Sequence, residues 1–227
     1  MAKDFNAVAV VDHYDSHIRQ LIPAYEWIHK QVAALLHSYL DTHAEIVIVG
    51  CGTGHELQML AEYAPDWRFF AIDPAPNMIE KAQQRMSDAG LAHRVEFCVA
   101  DSSLLTQTAY SDKFEAALSI LVSHFVPLAQ KSAYFEAIFQ SLKTDGLCLS
   151  YDLTTCDEPK QRQALKQLAN LSGLHEKQSQ AMLTRMDDDF ALISAELLHD
   201  LLMQVGFQSV NRFSQILAYH GFMACKS

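Results

Sequence analysis

The segment Glu45–Glu56 reads EIVIVGCGTGHE, an apolar run that ends in three glycines spaced two apart, Gly50, Gly52 and Gly54. A turn of this composition lets a ligand lie against the backbone, because no Cβ stands in the way. Two more turns carry acids. RFFAID closes on Asp73, and VEFCVADS closes on Asp101 and Ser102. A carboxylate at the first position can accept hydrogen bonds from two ribose hydroxyls. A carboxylate at the second can accept from an adenine amino group, while the next backbone N–H meets a ring nitrogen. The chemistry suggested is the holding of a nucleoside. The plainer alternative is that each acid only caps the helix that follows, Asp73 for the one starting near Pro76.

Spacing narrows the nucleoside. A dinucleotide fingerprint is G-x-G-x-x-G, and here His55 occupies the place of its third glycine. A phosphate-binding loop ending in GK[ST] is absent from the sequence. G-x-G-x-G suits S-adenosylmethionine (SAM), which has no pyrophosphate to seat on the helix start. Pro74 and Met78, just after Asp73, join the expected cofactor-binding set, with Met78 either beneath the adenine or in the core.

These turns need a scaffold that brings three strand ends together. AEIVIVG reads as a strand buried on both faces, and HELQMLAEYA as a helix with Leu57, Leu60 and Ala61 on one face. WRFFAID is a second strand. PNMIEKAQQRMSDAG is a helix opened by Pro76 and closed by Gly90. RVEFCVAD and KFEAALSILV are further strands. PLAQKSAYFEAIFQSLK is a helix closed by TDG, and LCLSYDL is a fifth strand. This alternation predicts an α/β, doubly wound, Rossmann-like parallel sheet with helices on both faces. Before it, SHIRQLIPAYEWIHKQVAALLHSYL is helical and broken near Pro23. After it come a polar helical stretch from Asp157 to about Met182 and a helix capped by Ser194. Two final extended runs, QSVNRFSQ and LAYHGFMACK, are expected to form an antiparallel pair at the sheet edge. DDD at 187–189 reads as a solvated loop.

Bulk properties limit the partners. The formal net charge is −10 over 227 residues, and Lys and Arg do not cluster. Nucleic acid is therefore disfavoured as a partner, because phosphate contacts need a basic surface. A small molecule is the better substrate. Five cysteines stand without a CxxC, which argues for the reducing cytoplasm and against a disulfide framework or zinc cluster. His13 and His17 are four apart but lack a third ligand, so no metal is expected. No apolar run reaches the roughly 20 residues of a membrane span. The apolar patch at Ala7–Val11 lacks the length and cleavage site of a signal peptide.

Together, Gly50–Gly54, Asp73, Asp101–Ser102 and the final strand pair resemble a class I SAM-dependent methyltransferase, from about Ala44 onward. The resemblance implies a seven-stranded sheet whose last strand runs antiparallel. It also implies a SAM-binding methyltransferase domain over 44–227, preceded by a helical lid segment over 1–43, and it admits a homodimer. LIPAYEWI and GFQSVNRFSQILAYHGFMACK are similar to a narrower branch of small methyltransferases and carboxy-SAM synthases. In that branch Tyr25 and the strand-closing Ser119 would reach the cofactor. A synthase would further need an arginine for its extra carboxylate, and Arg185 in AMLTRMDDD lies near that place. The family's acid two residues before the first glycine is replaced by Ile48, so the methionine end must be held from elsewhere. Methyl transfer needs no obligatory acid or base, but His124, Asp152 and Tyr14 are the candidates for acceptor-side chemistry. The rival readings are a carboxy-SAM-synthase-like enzyme and a SAM-binding protein without transfer activity.

Overall fold

A computed structural model describes residues 7–227; the first six residues of the expected lid segment lie outside it. Two helices come first, α1 (Val8–Leu21) and α2 (Tyr25–Tyr39). Then β1 (Glu45–Val49), α3 (His55–Tyr63), β2 (Arg68–Asp73), α4 (Pro76–Asp88), β3 (Val95–Val99) and β4 (Phe114–Ile120) alternate. They are followed by α5 (Lys131–Ser141), β5 (Leu142–Leu153), α6 (Pro159–Leu171), α7 (Glu176–Asp188), α8 (Ala195–Val205), β6 (Ser209–Ile216) and β7 (Tyr219–Cys225). The seven strands form one sheet in the order β3-β2-β1-β4-β5-β7-β6. Strands β1 to β5 pair in parallel. β7 inserts between β5 and β6 and runs antiparallel to both.

The apolar runs are explained by burial on two faces. Alternate residues of β1 serve opposite cores. Ile46 and Ile48 pack with α2, α3 and the ends of α1, while Val47 and Val49 pack with α5 and α8. Ile48 is 2% exposed and shares its cluster with Ile18, Ile22 and Tyr25. The position two residues before the first glycine is thus part of the hydrophobic core. α2 contributes Ile28, Val32 and Leu36 to the same core.

Several boundaries differ from the sequence reading. α1 begins at Val8 rather than Ser16, because Val11 finds a place against Ala75 and Met78. Pro23 does separate α1 from α2, and Ala24 takes a left-handed φ of 54° at the joint. α5 stops at Ser141, and Leu142 already pairs with Phe114 across a bulge, so Leu142, Lys143 and TDG belong to a long β5 and not to a helix end. The polar stretch is two helices, broken at Gly173 with φ 106°. Asp187 and Asp188 close α7 rather than forming a loop, and Asp187 pairs with Arg162 at 2.7 Å. The Ser194 cap is as read: its Oγ accepts from the Leu197 N–H at 3.1 Å.

Candidate functional site

The glycine turn sits where β1 meets α3. Gly50 has φ 74°, and a Cβ there would stand 2.5 Å from Val122 Cγ2. Gly54 has φ 78°, and its Cβ would meet Ala82 of α4 at 2.9 Å. The first glycine lets the β4 exit lie against the turn, and the third lets α4 approach α3. Asp73 braces this arrangement. Its carboxylate accepts from the Gly52 N–H and the Ala75 N–H, each at 2.9 Å. Burial pushes the Asp73 carboxyl upward, and these two N–H groups oppose the shift. Asp101 accepts from the Ser103 N–H at 2.8 Å. Asp101 therefore does the capping work of the plainer alternative, whereas α4 begins at Pro76 with Ala75 as its N-cap and no side-chain cap, so Asp73 braces the glycine turn instead; both carboxylates keep lone pairs open for a ligand.

Beside the turn lies a cleft of about 440 Å³. Gly50, Pro74, Asp101, Ser102, Val122 and Tyr134 are among the residues that line it. The volume suits a nucleoside. Ser119 does not line this cleft. Its side chain is fully buried, and its Oγ hydrogen-bonds the Tyr134 hydroxyl at 2.7 Å. Met78 is likewise in the core, against Val11 and Ala75.

α1 lies over the glycine turn. Tyr14 Cε1 is 4.0 Å from where a Cβ on Gly52 would stand. Thr53 Oγ1 donates to Asp15 at 2.5 Å, and Arg85 of α4 pairs with the same carboxylate while donating to the Thr53 carbonyl at 2.8 Å. A second clasp joins α1, α2 and α3. Arg19 pairs with Glu26 at 2.5 Å, His55 Nε2 meets Glu26 at 3.1 Å, and Arg19 Nη2 meets His55 Nδ1 at 3.3 Å. Because arginine can only donate, His55 is the neutral tautomer with its proton on Nε2. Burial lowers the His55 pKa, with Glu26 opposing. Tyr25 packs here, its ring 4.6 Å from His29 and 5.5 Å from His55. Burial, then Asp73 and Asp15, hold the Tyr14 phenol far above its ordinary value, so it remains a neutral hydroxyl.

A second, apolar pocket opens on the other side of the β4 exit. Its walls include Tyr14 and Ile18 from α1, Leu121, His124 and Phe125 after β4, and Met182, Arg185 and Phe190 around α7. Phe125 borders this pocket and the nucleoside cleft alike. Leu121 turns the chain here with a left-handed φ of 62°. His124 Nδ1 bonds the Asp152 carboxylate at the end of β5. The same carboxylate accepts from the Ser123 N–H at 2.8 Å and the His124 N–H at 3.3 Å. Lys131 is buried close by and donates to the Ser123 carbonyl; burial lowers its pKa and Asp152 opposes.

The structure thus gathers Gly50, Pro74, Asp101 and Ser102 at one cleft and braces it with Gly52, Gly54 and Asp73. His124, Asp152 and Tyr14, 138 residues apart at most along the chain, meet at the second pocket. Tyr25 and Ser119 line neither. Sequence reasoning missed Asp15, Thr53 and Arg85, whose pairing spans 70 positions and leaves no local pattern. It also missed Phe125 and Tyr134, which look like ordinary core aromatics. Among the described residues, no group of three His, Cys, Asp or Glu side chains could hold a metal ion.

Residues 46–146 match the family described as methyltransferase domain. Malonyl-[acyl-carrier protein] O-methyltransferase of Acetivibrio thermocellus is 32% identical over 128 residues, which are 55% of this chain and 42% of that one. The chain thus spans less than half the length of that relative. Carboxy-S-adenosyl-L-methionine synthase of Desulfotalea psychrophila is 22% identical over 98% of this chain and 91% of its own. Magnesium protoporphyrin IX methyltransferase of Synechocystis, solved with bound SAH, superposes with a TM-score of 0.70 at 14% identity over 98% of this chain and 96% of that one. The strand order, the braced glycine turn and these matches agree: the chain has the fold of the class I SAM-dependent methyltransferases, and its segment 46–146 is similar to the methyltransferase-domain family.

Proposed function

We propose that the chain transfers the methyl group of SAM to a small-molecule acceptor. The observation that carries this reading is that a nucleoside-sized cleft and an apolar pocket meet at Phe125. The adenosyl part takes the cleft, with adenine at Asp101 and Ser102, ribose at Asp73, and Pro74 alongside. The methionine end follows the turn at Gly50 and Gly52 beneath α1. Tyr14, with its neutral hydroxyl, and the Asp15 clasp close over that end, so α1 is the working part of the lid segment 1–43. The sulfonium methyl is already activated. The protein then aligns the acceptor with the methyl–sulfur bond and keeps water out. Met78, Tyr25 and Ser119 act at one remove, by packing behind the turn and behind Tyr134.

The acidic charge and five free cysteines support a cytoplasmic enzyme that does not act on nucleic acid. No helix among the described residues is long and apolar enough to cross a membrane. Both clefts are lined by one chain, so the reading does not require the homodimer. Calorimetry with SAM, its demethylated product and NAD tests cofactor choice, and binding of NAD with no binding of SAM would overturn it. An acceptor screen that detects S-adenosylhomocysteine tests transfer, and binding without any turnover would favour a non-transferring SAM-binding protein.

A second reading is favoured by Arg185, a cation in the wall of the apolar pocket. A carboxy-SAM-type enzyme would direct it at the extra carboxylate. Here Arg185 already pairs with Asp189 at 3.0 Å and lies 5.3 Å over the Phe190 ring, which makes methyl transfer the better supported reading. Mass spectrometry of the ligand that copurifies separates the two.

A further inference from the structure

The clasp behind the glycine turn is built around a histidine ring that the geometry requires to be neutral. His55 opens α3 directly after Gly54, so it is fixed to the turn. Its Nε2 meets Glu26 of α2 at 3.1 Å, and its Nδ1 meets Arg19 Nη2 of α1 at 3.3 Å. A proton on Nδ1 abolishes the acceptor that Arg19 uses and sets an imidazolium against a guanidinium. We propose that His55 is a positioning residue for the cofactor. Its neutral form latches α1 over the methionine end, and its protonation releases that latch, so SAM is retained near neutral pH and let go in mild acid. The inference rests on the methyl-transfer reading above, which puts the methionine end beneath α1.

The groups packed around this ring come from three helices. α1 supplies Arg19, and Asp15 one turn earlier is engaged by Thr53 and Arg85. α2 supplies Tyr25, Glu26 and His29, and α3 itself supplies Glu56. Glu26 already pairs with Arg19 at 2.5 Å, so it has a cation without help from His55. Tyr25 stacks on the His55 ring at 5.5 Å between centroids, and burial holds its phenol neutral. His29 stands edge-on to His55 at 5.5 Å. Its Nδ1 is engaged by Glu56 at 3.2 Å and its Nε2 is buried with no partner, so no hydrogen bond joins the two histidines. A cation in the first turn of α3 would also oppose the helix dipole. Burial, the first cause, holds the His55 pKa below its ordinary value; Glu26 opposes the shift, and His29 and Arg19 add to it.

With α1 closed the ring is neutral and its pKa is depressed. With α1 open the ring regains water and its ordinary value of about 6.5. The advantage of the closed state is therefore fully present above about pH 6.5, and it is lost as the pH falls through that value toward the lower closed-state pKa. A ligand that needs α1 closed releases up to about one proton when it binds below that pH, and its affinity falls by at most about tenfold per pH unit. Ligands differ in how far they call on α1. Adenosine has its partners at Asp73, Asp101 and Ser102, whereas the amino acid end of SAM lies under α1. Proton linkage should accordingly separate SAM from adenosine.

The test titrates the full chain with SAM and with adenosine in steps from about pH 7.0 to about pH 5.5, a range in which the ammonium of SAM keeps its proton. The temperature is one at which circular dichroism shows the chain folded throughout. The SAM dissociation constant should rise about five- to tenfold across the range, and that of adenosine by less than about twofold. Calorimetry in two buffers of different ionisation heat should show protons released as SAM binds near pH 6. His55→Gln keeps an acceptor for Arg19 and a donor for Glu26 but takes up no proton, so it should bring the SAM ratio down to that of adenosine. The inference is overturned if His55→Gln keeps the wild-type pH dependence, if SAM and adenosine weaken by the same factor, or if SAM affinity is constant across the range. Should His55→Gln not fold, proton release by the wild-type chain decides, and binding without release overturns the inference. A folded chain that binds adenosine but not SAM at any pH would instead remove the methyl-transfer reading beneath it.

Discussion

Asp15 of α1 accepts a 2.5 Å hydrogen bond from Thr53 in the glycine turn, and Arg85 of α4 binds the same carboxylate. The N-terminal helix is therefore fastened directly to the loop that would hold the methionine end of SAM. Ile48 cannot supply an acceptor there, because it is packed in the core with Ile18, Ile22 and Tyr25. An ammonium group shielded from water still needs acceptors. The geometry leaves α1 and the turn backbone to provide them.

Deleting residues 1–20 should accordingly lower SAM affinity more than adenosine affinity. Paired titrations on the truncated and full-length chains, with folding checked by circular dichroism, measure the difference. Equal weakening of both ligands, or none, would mean that α1 does not close over the methionine end.

Asp73→Ala should weaken SAM binding by about 1.5–3 kcal/mol, since charged hydrogen bonds to ribose hydroxyls are lost. The Gly52 and Ala75 N–H groups also lose their acceptor. A thermal melt should therefore move down as well. An unchanged dissociation constant alongside a lowered melting temperature would make Asp73 a brace only.

Gly54→Ala should destabilise the fold by about 1–3 kcal/mol. The residue has φ 78°, and the new Cβ would press on Ala82 Cβ at 2.9 Å. Urea denaturation of the variant measures the cost, and wild-type stability would show that the α3–α4 contact yields freely.

His55 and His220 are both held below their ordinary pKa, each chiefly by burial. Their neutral forms belong to the folded state, while the unfolded chain takes up protons near pH 6.5. Their contribution to stability is fully present above about pH 6.5 and is lost as the pH falls through that value toward the lower folded pKa. Protonating His55 also breaks its bond from Arg19 and sets two cations side by side at the α1 clasp. Melting temperature should drop between about pH 7 and pH 5.5, and His55→Gln should flatten that slope. A His55→Gln profile parallel to wild type would remove His55 from this account.

The order of strands and helices, the turn at Gly50–Gly54 and the acids at Asp73 and Asp101 were all legible along the chain. They are local: apolar period, glycine spacing and strand-end position each lie within a few residues. Element ends were less so. Leu142 looked like the last turn of a helix, and only its pairing with Phe114 on β4 draws it into β5. His124 and Asp152 were visible as candidates, yet nothing in the sequence says that their side chains touch. They meet because β5 pairs in parallel with β4, which sets the two strand ends side by side. In the same way Asp15 reads as one more acid on a helix, and Arg85 as one more surface cation. Their pairing depends on α1 crossing α4 beside the glycine turn. Period and spacing describe what neighbours along the chain can do. Contacts across 30 to 70 positions come from the packing of whole elements, which minimises exposed apolar surface and leaves no mark on local sequence.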